Sequence, residues 1–244
     1  MVEQKKARKT RNRGPKKKAQ QFERILEEGK QFFQDHGHEG FTLKGLAKKL
    51  DMNQNNFYNY VESKRELWIA IRKKFYTQYR DENRQIISES DGSNLDTLLR
   101  IFEHFFEFAE NDFAAFRMMH IIRAPPSDKI GTFEREYKPF GILDGTTRLI
   151  QKAIDEGEVK EKNAALLSFF MYSLLLGATW VEKIMRDIEE EEENKNEGKI
   201  EEHTQFGTQG FTSKEFRNYT LQKIIKGFIS SDLIVDECEY RNDS

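Results

Sequence analysis

The sequence predicts an all-α protein of two parts, an N-terminal three-helix helix-turn-helix domain and a larger C-terminal helical bundle. Three observations predict it. Apolar residues recur with the 3.6-residue period of a helix through most of the chain, and no stretch alternates with the period of a strand. Turn-forming breakers separate the periodic stretches, at Gly14-Pro15, Asp51-Met52-Asn53, Asp91-Gly92-Ser93, Asn111-Asp112, Pro125-Pro126 and Gly157. Charge is unevenly shared: the net charge of the 244 residues is −2, yet residues 1–80 hold 20 basic and 9 acidic side chains and residues 81–244 hold 20 and 33. A basic front and an acidic back suggest a polyanion-binding module joined to something that does not touch the polyanion.

Composition excludes other classes. Hydrophobic residues at 37% and aromatics at 12% are too many for a disordered chain. The single cysteine, Cys238, excludes a disulfide framework and a cysteine-based zinc site. The basic N-terminus has no apolar stretch behind it, so no secretory signal and a cytoplasmic location are expected.

Residues 1–18 carry nine Lys/Arg and one Glu and predict a flexible basic arm. The helix-turn-helix domain is expected over 19–66. Its first helix begins near Lys16 and carries Phe22, Ile25, Leu26, Gly29, Phe32 and Phe33 on one face, ending at Gly37. Thr42 is a plausible N-cap for a short second helix with Leu43, Leu46, Ala47 and Leu50 on one side. Asp51-Met52-Asn53 forms a tight turn, and Asn53 caps a third helix from Gln54 to Asn59. Ser63-Lys64-Arg65-Glu66 reads as a capping box opening a long fourth helix. Two short helices joined by a three-residue turn form a unit that places its second helix in the major groove of DNA. There Gln54, Asn55 and Asn56 could both donate to and accept from base edges, while Phe57 points back into the core.

The stretch FTLKGLAKKLDMNQNNFYNYVESKRELW, residues 41–68, resembles the N-terminal domain of the tetracycline-repressor (TetR) family of transcription regulators. The match runs through Thr42, Leu46-Ala47, the run Asn53 to Tyr58, Tyr60, Ser63-Lys64 and Leu67. It departs from the family pattern twice. Asp51 stands where a turn glycine is usual, and Asn55 replaces a small residue, so the target sequence does not carry over. The resemblance implies phosphate contacts from Thr42, Lys44, Tyr58 and Lys64, with Tyr60 as a further candidate. It implies base reading by Gln54, Asn55 and Asn56.

The remainder, 67–244, is expected to be a helical effector-binding and dimerisation domain, with helices at about 64–88, 94–110, 112–122, 128–156, 163–189 and 212–232. Its aromatic density reads first as core. In aggregate, Phe102, Phe106, Phe116, Met119, Phe133, Tyr137, Phe140, Phe169, Tyr172 and Trp180 could line an apolar cavity, with His120 as a polar anchor. The resemblance implies a small-molecule effector. The lining suggests a hydrophobic one: a fatty acid, its coenzyme A thioester or an aromatic compound.

Residues 164–181 run 18 positions without a charge, at the lower edge of membrane-span length. They read as a helix buried between the domain core and a partner subunit, the alternative being a membrane tether. The resemblance implies that the helices near 163–189 and 212–232 pair with their copies in a homodimer. Between them, residues 189–210 form an acidic loop whose Glu run could extend the preceding helix.

No P-loop, Gly-x-Gly-x-x-Gly or Gly-x-Ser-x-Gly motif is present, and the five histidines (His36, His38, His104, His120, His203) lack metal-ligand spacing. His104 and His120 could approach each other. No enzymatic activity, cofactor or metal is expected. The sequence-level expectation is therefore a ligand-responsive, homodimeric, DNA-binding transcription regulator, a repressor on a palindromic operator. The alternative is an architectural DNA-binding protein without an effector.

Overall fold

The structure, a computed structural model, describes residues 14–138, 141–193 and 210–229. Within them the regular elements are ten α-helices: α1 (Pro15–Gly40), α2 (Leu43–Lys49), α3 (Gln54–Phe57), α4 (Lys64–Ser88), α5 (Asn94–Asn111), α6 (Phe113–His120), α7 (Thr132–Glu136), α8 (Asp144–Asp155), α9 (Ala164–Glu193) and α10 (Ser213–Ile229). Most of the basic arm, most of the acidic loop, Cys238, His203 and Phe140 lie outside the described residues.

Local chemistry fixes most boundaries. Pro15 opens α1, three residues before the expected end of the arm, because its fixed φ and missing N–H suit a first helical position. Gly37 sits at φ 64° and kinks the helix where the sequence predicts its end. The Thr42 hydroxyl accepts from the Gly45 amide at 3.0 Å, and Asn53 Oδ1 accepts from the Asn55 amide at 2.9 Å. Each satisfies an amide that the first helical turn leaves unpaired. Thr212 and Glu215 cap α10 reciprocally: the Glu215 amide donates to Thr212 Oγ1 and the Thr212 amide to Glu215 Oε2.

Two predicted helices are shorter than expected. The third helix stops at Phe57, and residues 58–60 turn instead, with the Tyr60 amide donating to the Phe57 carbonyl at 2.8 Å. Asn55, Asn56 and Asn59 are weak helix formers, and burial of Phe57 and Val61 fixes the turn between them. The stretch 128–156 is interrupted, leaving α7 and α8. The sequence places Pro139 and Gly141 between the two, residues that lack an amide donor or lower helix propensity. The Glu run prolongs α9 to Glu193.

The chain folds as two compact units. The first combines the described residues up to Tyr79 with 112–138; the second combines 80–111 with the described residues from 141 onward. Packing divides α4 after Tyr79, and it groups α6 and α7 with the helix-turn-helix. The core of the first unit is a ring cluster. Phe33 and Phe41 meet Trp68 edge-on at 5.1 and 5.8 Å, and Ile25, Leu46, Phe57, Leu67 and Ile71 of the same unit are fully buried. In the second unit α9 packs against α5, α8 and α10, burying Leu98, Phe102, Phe106, Ile150, Met171 and Leu175.

Candidate nucleic-acid interface

The helix-turn-helix is closed from inside and open from outside. Leu46, Ala47, Leu50 and Phe57 are buried and hold α2 and α3 together, whereas Thr42, Lys44, Gln54, Asn55, Asn56 and Tyr58 are exposed. Tyr60 and Lys64 are half-buried.

The turn between the helices is a Schellman motif. The Met52 amide donates to the Ala47 carbonyl at 2.9 Å and the Asp51 amide to the Lys48 carbonyl at 3.2 Å. This geometry puts the residue after the helix cap in the left-handed region. Asp51 occupies it at φ 52°, one of the few non-glycine residues that do so at low cost.

Cations are distributed by use. Lys49 is drawn back toward Asp35 at 3.4 Å and Glu28 at 3.7 Å. Lys44 and Lys48 have no ion pair among the described residues. Lys64 Nζ lies 5.7 Å from the centre of the Phe41 ring, so its stem follows apolar surface and its charge stays at the front of α4. An exposed face of amides and a tyrosine hydroxyl, flanked by lysines, can hydrogen-bond base edges and phosphates together.

Of the eleven expected effector contacts, the ten within the described residues divide between the units. Phe116, Met119, His120, Phe133 and Tyr137 are in the first, and Phe102, Phe106, Phe169, Tyr172 and Trp180 in the second. Phe102, Phe106 and Phe116 are fully buried. His120 packs at a tilt against Phe116 at 4.7 Å and meets Tyr79 edge-on at 6.3 Å, and burial pulls its pKa down to about 3. His104 instead bonds Asn83 at 2.8 Å and Glu82 at 3.1 Å. Phe133 packs edge-on against Phe22 at 6.5 Å, beneath the Lys73 ammonium at 5.2 Å. Phe169 and Trp180 are exposed, 66% and 41%. No three His, Cys, Asp or Glu side chains gather to hold a metal among the described residues.

Sequence reasoning missed a polar cluster in the second unit. A cleft of about 300 Å³ is lined by Glu103, Glu107 and Glu110 of α5, Glu182 and Arg186 of α9, and Arg217 of α10, among others. Arg217 Nη2 donates to Glu110 at 2.6 Å, its Nε donates to Glu182 at 2.9 Å, and its guanidinium lies over Phe106 at 5.6 Å. Burial pushes the Glu182 carboxyl up against the opposing pull of Arg217, whereas Arg217 holds the more exposed Glu110 carboxyl down. These residues are far apart in sequence, so no local spacing announces them.

Helix α9 presents an apolar face that its own unit does not cover. Leu166, Phe169, Phe170, Leu174 and Trp180 are each at least 40% exposed, spaced along one side, with Ser173 and Gly177 between them. By length and composition the stretch Ala164–Glu191 could cross a membrane. Its opposite face buries Ser168, Thr179 and Glu182 as well as Met171 and Leu175.

No known family profile matches the chain, and no curated protein matches it in sequence. Solved structures do resemble it in fold. A protein of unknown function from Rhodococcus sp. RHA1 superposes with a TM-score of 0.60 at 11% identity, covering 91% of this chain and all of its own. A tetR family transcription regulator from Shewanella sp. PV-4 gives 0.54 at 16% identity, covering 85% and 97% of the two chains. The transcriptional regulator FadR from Bacillus subtilis, solved with stearoyl-CoA, gives 0.55 at 14% identity over 85% and 99%. The chain thus has the all-helical fold seen in regulators of the TetR type.

Proposed function

We propose that this chain is a TetR-family transcription regulator that binds DNA by sequence and releases it on binding a small molecule. One observation carries the reading: α2 and α3 meet through a Schellman turn that leaves Gln54, Asn55 and Asn56 on an exposed helix anchored by buried Phe57. Amide side chains on such a helix suit bidentate pairing with adenine. Thr42, Lys44, Tyr58, Tyr60 and Lys64 are the surrounding phosphate contacts, which set register but not sequence.

The working form is a homodimer on a palindromic operator. The uncovered face of α9 supports it, because a contiguous apolar stripe rimmed by polar residues is what a partner subunit covers. Two copies would then set two reading helices in successive major grooves, about 34 Å apart. The protein acts in the cytoplasm as a repressor and has no catalytic role. Its effector is hydrophobic, a fatty acid, an acyl-coenzyme A or an aromatic compound, consistent with the aromatic density of 102–137. Binding shifts the population toward a state that does not fit the operator, which requires the effector to bind that state more tightly.

The test is selection of duplexes by the wild-type protein from a random pool, followed by competition at moderate salt. Enrichment of an inverted repeat supports the reading; equal binding to every duplex selects the architectural alternative and rejects specific regulation. A native mass spectrum of protein purified from its host reads subunit number and retained ligand together. A metal or a small polar metabolite as the only retained partner would reject the hydrophobic effector.

A further inference from the structure

We infer that Glu66 is a positioning residue for DNA binding and that segment 122–137 is a strap that holds it in place. The inference rests on the DNA-binding reading above and adds residues that face no DNA.

Glu66 lies in the first turn of α4, two residues after Lys64, and is almost fully buried. Its carboxylate joins two pieces of backbone. Oε2 accepts from the Glu62 amide at 2.6 Å, in the turn before α4, and Oε1 accepts from the Phe133 amide at 2.7 Å, in the first turn of α7. Its own amide donates to Ser63 Oγ at 3.1 Å. One side chain thus ties the entry to α4 to a segment about seventy residues later.

The strap is anchored along the same side of α4. Arg65 Nε pairs with Glu134 Oε1 at 2.5 Å, and Arg65 Nη1 donates to the Pro125 carbonyl at 3.5 Å. Arg72 Nη2 donates to the Ile122 carbonyl at 2.6 Å, and Lys73 covers the Phe133 ring. Residues 65, 66, 72 and 73 fall on one face two turns apart, and that face is given to the strap. Gly131 makes the closest approach: a Cβ there would sit 1.8 Å from Glu66 Oε2. Its φ of −79° is open to any residue, so only the contact with Glu66 demands glycine.

Charge-assisted bonds to buried amides are among the stronger ones in a small domain. Here they fix the angle at which the chain leaves α3 and enters α4. Lys64 and the 58–61 turn ride on that junction, so loosening the strap displaces the phosphate contacts without altering any DNA-facing side chain.

The test uses the duplex that the wild-type protein selects and compares wild type, Gly131→Ala, Lys64→Ala and the double variant across a salt series. The expected result for Gly131→Ala is a loss of about tenfold in affinity and a salt slope reduced by about one phosphate contact. Lys64→Ala should then cost less in the Gly131→Ala background than alone, since both remove the same contact. If Gly131→Ala does not fold, Glu134→Arg and the reversed pair Arg65→Glu/Glu134→Arg replace it, with the reversed pair restoring affinity. A folded Gly131→Ala with wild-type affinity and slope would overturn the inference. So would a loss of affinity with unchanged slope and full additivity with Lys64→Ala, which marks a scaffold contact alone. A wild-type protein that selects no duplex removes the DNA-binding reading itself and the strap's role with it.

Discussion

At the scale of single residues, Asp51 and His120 each hold an unfavourable position that the surrounding fold imposes. Asp51 carries the positive φ of the turn between α2 and α3. Asp51→Gly should change stability by less than about 0.5 kcal/mol, because the small left-handed strain relieved is offset by the entropy glycine adds to the unfolded chain. Asp51→Val should cost about 1–2 kcal/mol, both read by denaturant titration. His120 is neutral when folded because burial lowers its pKa from 6.5 to about 3. The unfolded chain therefore binds a proton that the native state refuses as pH falls below about 6.5, and stability is lost in that window. Relative to His120→Leu, wild type should lose stability from about pH 6.5 downward, approaching about 1.4 kcal/mol per pH unit between roughly pH 5.5 and 4. Parallel curves for the two proteins would mean that the histidine is protonated in place.

At the scale of elements, the proposed function assigns separable work to the arm, α3 and α9. Residues 1–18 hold nine basic side chains against one acidic, while α3 has no charge at all. Deleting residues 2–18 should weaken binding to all duplexes and flatten its salt dependence, whereas Gln54→Ala should change which duplexes are selected. An unchanged salt slope after the deletion would reduce the arm to a tail. For α9, Phe169 is the test, being 66% exposed in the protomer and part of the apolar stripe. Phe169→Glu should yield a folded monomer by light scattering, because a charge buried in an apolar interface without a partner is costly. A dimer that survives the change puts the interface elsewhere.

The alternation of apolar and polar positions made these elements legible to different degrees. The caps at Thr42 and Asn53 and the break at Gly37 were readable because each depends on neighbours within a few residues. The length of α3 was not. Its end is set by burial of Phe57 and Val61 against other helices, and three weakly helical asparagines do not resist it.

For the whole molecule, regulation requires that operator and effector favour different states. Linkage makes this reciprocal: if effector weakens operator binding by some factor, operator must weaken effector binding by the same factor. Titrating effector with and without saturating operator duplex measures it, and an effector affinity that operator leaves unchanged would mean that the effector does not weaken operator binding at equilibrium.

What the sequence determined by itself was local and periodic: helices, caps, the turn at Asp51, the amide-bearing face of α3, and a basic front before an acidic back. Hydrogen bonds and apolar stripes that repeat every few residues leave that record in any single sequence. Only the tertiary structure decided which distant segments share a core. It brought 112–138 to the unit holding the helix-turn-helix, set the Phe133 amide on Glu66, and gathered Glu110, Glu182 and Arg217 around one cleft. It also left Phe169 and Trp180 outside their own core. These outcomes depend on close packing between residues tens of positions apart, where shape and partner geometry choose among contacts that hydrophobicity alone permits.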